Sequence, residues 1–131
     1  MKTQTSYGYS AEVNLDFDAA VQKVTELLKD EGFSILTTID VKAKMKEKLN
    51  KNMDEYVILG ACNPAMAAKA LEAEKEIGLL LPCNVIVYIK GNKTIVSAVM
   101  PNALMSSIGN KALCAVAKTV EEKLKSVIDR M

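Results

Sequence analysis

Thr5, Tyr7, Tyr9, Ala11 and Val13 alternate with Ser6, Gly8, Ser10, Glu12 and Asn14, the two-residue period of a strand with one face buried. The period then lengthens. Phe17, Ala20, Val21, Val24, Leu27 and Leu28 form one helical stripe behind Asp16, a candidate N-cap, and the stripe stops at Gly32. Phe33 to Ile39 is rich in β-branched residues and predicts a second strand. Asp40 then caps a short helix with Val41, Met45 and Leu49 on one face and Lys42, Lys44, Lys46 and Lys48 on the other. Lysines on the open face of a short helix serve solvation, although such a patch can also touch phosphate.

Glu55 to Cys62 predicts the third strand. Asn63-Pro64 follows as a helix start, because asparagine caps and proline at the first helical position loses no needed donor. The helix it opens, Pro64 to Glu76, is slim, with alanine at 65, 67, 68, 70 and 73. Val85 to Ile89 is an unbroken apolar run of the kind found in central strands. Gly91-Asn92 makes a two-residue turn into Lys93 to Met100, and Pro101 ends that strand. With Lys90 facing Lys93, Tyr88 falls opposite Ile95, Ile86 opposite Ser97 and Cys83 opposite Met100. In the last segment, Ser106 to Met131, one face carries Leu113, Val116, Val120, Leu124, Val127 and Met131. Five strands and about four helices predict an α+β domain, a mainly antiparallel five-stranded sheet with helices packed on one face.

Composition narrows the picture. A chain of 131 residues, 50% hydrophobic, builds one domain, residues 1–131. With 17 basic and 16 acidic side chains it has no whole-molecule field to attract nucleic acid or an acidic membrane. A near-neutral, apolar-rich surface leads us to expect a homodimer. The N-terminus lacks the apolar run of a signal peptide, and no stretch reaches the roughly 20 apolar residues of a membrane span. The expected location is the cytoplasm, where three cysteines stay reduced. Histidine is absent, which removes Ser-His and Cys-His nucleophile pairs and histidine metal ligands. The carboxylates form no catalytic pair, since Asp16 and Asp40 read as caps and Glu72, Glu74 and Glu76 point in different directions. Gly109-Asn110-Lys111 reads as helix punctuation, without the spacing of a P-loop.

The candidate chemistry therefore gathers where strands give way to other structure, at Cys62-Asn63-Pro64 and Leu81-Pro82-Cys83. Cys62 precedes a helix N-terminus, whose free amides and dipole favour a thiolate; as packing it is a small hydrophobe at a strand end. Cys83 borders an apolar strand, and Cys114 the stripe of the last helix. If the chain descends one helix and climbs back through Ile77 to Pro82, the next strand runs antiparallel and both cysteines share one end of the sheet. A right-handed parallel crossover would instead put them at opposite ends.

Gly32-Phe33, Ile39-Asp40, Ile58-Leu59-Gly60-Ala61-Cys62-Asn63-Pro64 and Gly78-Leu79-Leu80-Leu81-Pro82-Cys83-Asn84-Val85 together resemble the bacterial and archaeal family called domain of unknown function 302. The likeness is carried by a core of about residues 16–101, outside the amphipathic C-terminal helix of about residues 108–130. It implies a small α+β fold, often dimeric, with no established reaction.

The expected function is a homodimeric cytoplasmic binding module for a small molecule, with a pocket formed by Cys62, Asn63, Pro64, Leu81, Pro82 and Cys83. Alternatives are a thiol redox or persulfide-transfer enzyme with Cys62 as nucleophile and Cys83 as resolving thiol, and a structural subunit of a protein complex. No cofactor is required; a soft ion such as Cu(I), held by Cys62, Cys83 and Met100, suits these ligand types. Neither nucleic acid nor membrane is an expected partner.

Overall fold

The computed structural model describes residues 1–131. Its sheet has six strands rather than five: β1 (Lys2–Gln4), β2 (Gly8–Val13), β3 (Ser34–Asp40), β4 (Tyr56–Cys62), β5 (Cys83–Lys90) and β6 (Lys93–Val99). Their order is β1-β2-β6-β5-β4-β3, with every neighbouring pair antiparallel. The additional strand is β1, and the turn that joins it to β2 forms at Thr5. Its hydroxyl accepts from the amides of Tyr7 and Gly8 at 3.3 and 3.0 Å, and its own amide donates to the Gly8 carbonyl at 2.9 Å. A side chain bonding its own backbone in this way replaces the ladder by a turn, so Lys2–Gln4, ahead of the alternating run, folds back on Gly8–Val13 as a separate strand.

Local capping chemistry places the helices. Asp16 accepts from the Ala19 amide at the head of α1 (Phe17–Asp30), and Asp40 from the Ala43 amide at the head of α2 (Val41–Leu49). Gly32, at φ +87°, turns the chain away from α1 in a conformation that side chains disfavour. The next helix, α3 (Pro64–Ala73), ends earlier than its alanine pattern suggests, because Glu74 is extended (φ −150°). The return to the sheet is then a 3₁₀ turn, Lys75–Leu80, rather than an extended climb. The C-terminal segment is broken as well: α4 (Pro101–Met105) and a 3₁₀ turn at Ser106–Ile108 precede α5 (Lys111–Asp129).

Strand alternation sorts the sheet into two unequal faces. Ala11, Val57, Leu59, Ala61, Val85, Val87, Val96 and Ala98 point into one core with Ala20, Val24 and Leu28 of α1 and Val120, Leu124, Val127 and Ile128 of α5. Helices α3 and α4 pack on α5 around a smaller cluster of Ala70, Ile77, Met105, Leu113 and Ala117. No helix is long and apolar enough to cross a membrane. The β5–β6 hairpin has the expected pairs Lys90↔Lys93, Tyr88↔Ile95 and Ile86↔Ser97, but its last pair is Val85↔Ala98. Met100 does not continue the ladder to Cys83, because Pro101 starts α4 and the Met100 amide donates to the Tyr7 carbonyl at 2.9 Å.

Gly60 is the most tightly enclosed of the glycines. A methyl group there would lie 2.2 Å from Thr37 Oγ1 and 2.9 Å from Pro82 Cγ, closer than atoms pack without displacement. Gly60→Ala is therefore expected to destabilise the fold by about 1–3 kcal/mol in urea unfolding. Adding Thr37→Ala should recover part of that loss, because the contact with Pro82 remains. A Gly60→Ala protein as stable as the parent would show that β3 yields freely at this point.

Candidate functional site

Cys83 pairs with Ala61 across the antiparallel β4–β5 ladder. Cys62, one residue further, therefore lies at the same end of the sheet as Cys83, as the antiparallel return requires. A cleft opens there between α3, α4, α5 and the strand ends. Cys62, Asn63, Leu81, Pro82 and Cys83 all border it, with Phe33 and Ala61 at the sheet side. Met66, Ala67 and Ala70 of α3 form one wall; Pro101 and Met105 of α4 and Leu113, Val116, Ala117 and Val120 of α5 form the other. Of the 16 bordering residues 13 are hydrophobic, so the cleft offers burial rather than a ring of polar anchors. Its interior is only about 30 Å³, enough for one or two waters.

Two residues from the sequence-based set lie elsewhere. Pro64 is exposed on the first turn of α3 and does not border the cleft. Met100 is buried outside it, so a soft ion held by the two thiols would not gain this thioether. Cys114 also stays outside the lining. The residues missed by sequence reasoning are the walls from α3, α4 and α5. Only the small side chains at Ala67 and Ala70 signalled a close approach, and they do not say to what.

Asn63 holds the cleft's entrance in shape. Its Oδ1 accepts the Met66 amide at 3.4 Å, while its Nδ2 donates to the Glu31 carbonyl at the end of α1, at 3.3 Å. One side chain thus starts α3 and ties it to the end of α1. That work occupies the amide at both ends, which makes Asn63 a positioning residue of the cleft. Gly32 lies against it, where a methyl group would come 3.2 Å from Nδ2.

The two thiols differ in environment. Cys83 is 8% exposed, and Cys62 is half-buried. Burial, and secondarily the neighbouring Cys62, pushes the Cys83 thiol up from 9.0 to about 11. At pH 7 only about one molecule in 10⁴ then carries a Cys83 thiolate. No group of three or more cysteine and carboxylate side chains is clustered so as to hold a metal ion.

The family model for the domain of unknown function DUF302 matches residues 9–131, and the chain belongs to that family. The match begins within β2 and runs through α5, a helix outside the segment that carries the sequence likeness. The crystal structure of the uncharacterized conserved protein DUF302 from Bacillus stearothermophilus is similar to this fold with a TM-score of 0.90 and 30% identity. The likeness covers 96% of this chain and 98% of that one. No curated protein matches the chain.

Two outcomes follow from this geometry. Asn63→Ser keeps a capping oxygen but is too short to reach Glu31, whereas Asn63→Ala loses both bonds. Urea midpoints should fall in the order Asn, Ser, Ala, with the alanine variant about 1–3 kcal/mol below the parent; equal midpoints for Ser and Asn would refute the tie to Glu31. The second outcome concerns pH. A raised folded-state thiol pKa means that, between the unfolded value and about 11, the native state binds more protons than the unfolded state. The stabilisation is whole below the unfolded value and is lost as pH rises towards 11, by on the order of 2–3 kcal/mol. Cys83→Ala should flatten that stretch of the stability curve relative to the parent, and a superimposable pH dependence would contradict the assignment.

Proposed function

We propose that this protein is a homodimeric, cytoplasmic binding module that takes a small apolar molecule into the cleft between Cys62-Asn63 and Leu81-Pro82-Cys83. The observation that carries this reading is the cleft's lining: hydrophobic almost throughout, bordered by two thiols, and roofed by a helix whose wall residues include Ala67 and Ala70. Small side chains leave the space in which a ligand exchanges water for apolar contact. Because the interior is narrow, ligand entry requires α3 and α4 to part by a small displacement. Helix α3 is suited to that movement, since only Ala70 among its residues is buried.

Thiol redox or persulfide transfer stands second. The two cysteines share one end of the sheet, which such an enzyme needs. However, a resolving thiol must ionise to attack, and Cys83 is held protonated by burial. In the binding reading the same protonated thiol is an asset, because an uncharged sulfur belongs in an apolar wall.

A solvatochromic apolar dye titrated into the protein tests the cleft. Ala67→Leu, which extends a side chain into the space, should weaken dye binding at least tenfold. Leu79→Ala, at an 83% exposed position away from the lining, should leave it unchanged. Dye binding that ignores Ala67→Leu would dismiss the cleft as the site.

A further inference from the structure

The sheet face opposite α1 and α5 does not have the composition of a surface made for water. A half-solvated antiparallel sheet turns polar side chains outward. Here the outward positions of the central strands include the half-buried Tyr56 and Ile58 on β4, Ile86 and Tyr88 on β5, and Ile95 on β6, with Asn84 and Ser97 beside them. They are brought side by side by the pairs Tyr56↔Tyr88, Ile58↔Ile86 and Tyr88↔Ile95. The two tyrosine rings stack with centroids 5.3 Å apart. None of these five residues belongs to the helix-covered core or packs against it. Helix α2 packs on β4 and β3, leaving β5 and β6 uncovered by it.

We propose that this open face binds a second copy of the chain, sheet against sheet, and so forms the interface of the dimer in the reading above. Area is the first argument. Strands β2, β6, β5 and β4, at about 4.8 Å spacing and about 24 Å long, present roughly 460 Å² before side-chain relief and the strand ends are added. A standard interface needs about 800 Å² per partner. The distribution of charge is the second argument. The five central residues are uncharged, whereas Glu12 and Lys93, paired at 3.3 Å, and Lys90 sit towards the margin, the apolar-centre and polar-rim arrangement of a protein interface. A formal net charge of +1 leaves two copies almost no mutual repulsion. A two-fold contact, in which each copy offers the same patch, suits a face this uniform. The cleft lies on the helical side of the sheet, so occupation of the open face leaves it accessible.

Sedimentation of the full chain tests the proposal. The wild type should sediment at twice 14.2 kDa at micromolar concentration. Ile86→Lys should shift dimerisation at least tenfold towards the monomer with dye binding retained. Nitration of the wild type gives a reading that needs no variant. Tyr7, 65% exposed, should react at every protein concentration, while Tyr88 should be protected in the dimer and react after dilution to monomer. A wild type that stays monomeric overturns the dimer. A dimer that survives Ile86→Lys, or whose Tyr88 nitrates as fast as Tyr7, overturns this face as its interface. Loss of dye binding alone would overturn the cleft and leave the interface standing.

Discussion

Two asparagine side chains hold the helical layer in the order on which the cleft depends. Asn63 caps α3 and donates to the Glu31 carbonyl behind α1. Asn110 repeats the device at the head of α5: its Oδ1 accepts the Leu113 amide at 3.0 Å, and its Nδ2 donates to the Ala73 carbonyl at 2.7 Å. Each amide satisfies a donor left free at a helix start and an acceptor at or near a helix end, groups that would otherwise require water. Aspartate could cap but not donate; serine could do both but not reach. The helices α1, α3 and α5 are thereby joined in series, and α3 is fixed at its two ends while its middle rests on few buried atoms. Glu121 adds a third tie by accepting the Asn102 and Ala103 amides at the head of α4, at 3.1 and 3.4 Å.

This arrangement explains how a chain without histidine and without a clustered set of carboxylates can still present a defined cleft. The polar groups around the cleft are used to position helices, and the surface left between those helices is apolar. The antiparallel return through the 3₁₀ turn brings Cys83 beside Ala61, so one thiol enters the dry side of the sheet while the other sits at the helix start. Burial then separates their chemistry: Cys83 behaves as a protonated, apolar sulfur. In the binding reading proposed above, selectivity comes from shape and from the small volumes of Ala67 and Ala70 more than from hydrogen bonding.

What could be read from the sequence was whatever is decided within a few residues. Asp16, Asp40 and Asn63 cap the helices that follow them, and Gly91-Asn92 sets the hairpin register, because a cap or a two-residue turn is a local bond. The misses lie where a nearby side chain or a distant contact overrules periodicity. Thr5 interrupts an alternating run by bonding to its own turn. Glu74 and Gly109 break stretches whose hydrophobic pattern continues past them. The cleft's far wall on α5 is separated in sequence from the cysteines, and nothing in the stripe of Leu113, Val116 and Val120 tells which neighbour each residue meets. Half of the site was thus legible as two junctions, and the other half arose only when the helices were stacked.

The strands β4 and β5 carry a further message that the isolated fold does not use. An apolar residue at every position from Val85 to Ile89 is the composition of a strand covered on both faces. In one copy of the chain, Val85 and Val87 are buried under the helices, while Ile86 and Tyr88 look out across the open face. Polar residues at those two positions would keep the core intact and make the surface more soluble, so the core gives no reason for isoleucine and tyrosine there. The proposed docking of a second copy on that face supplies one. Ile58 repeats the pattern on β4, beside Ile86, and the stacked Tyr56 and Tyr88 add broad, rigid surface with few torsions to immobilise. The period-two structure of the sheet therefore lets two adjacent residues serve separate surfaces, one facing the core and cleft, the other the open face on which the second copy is proposed to dock.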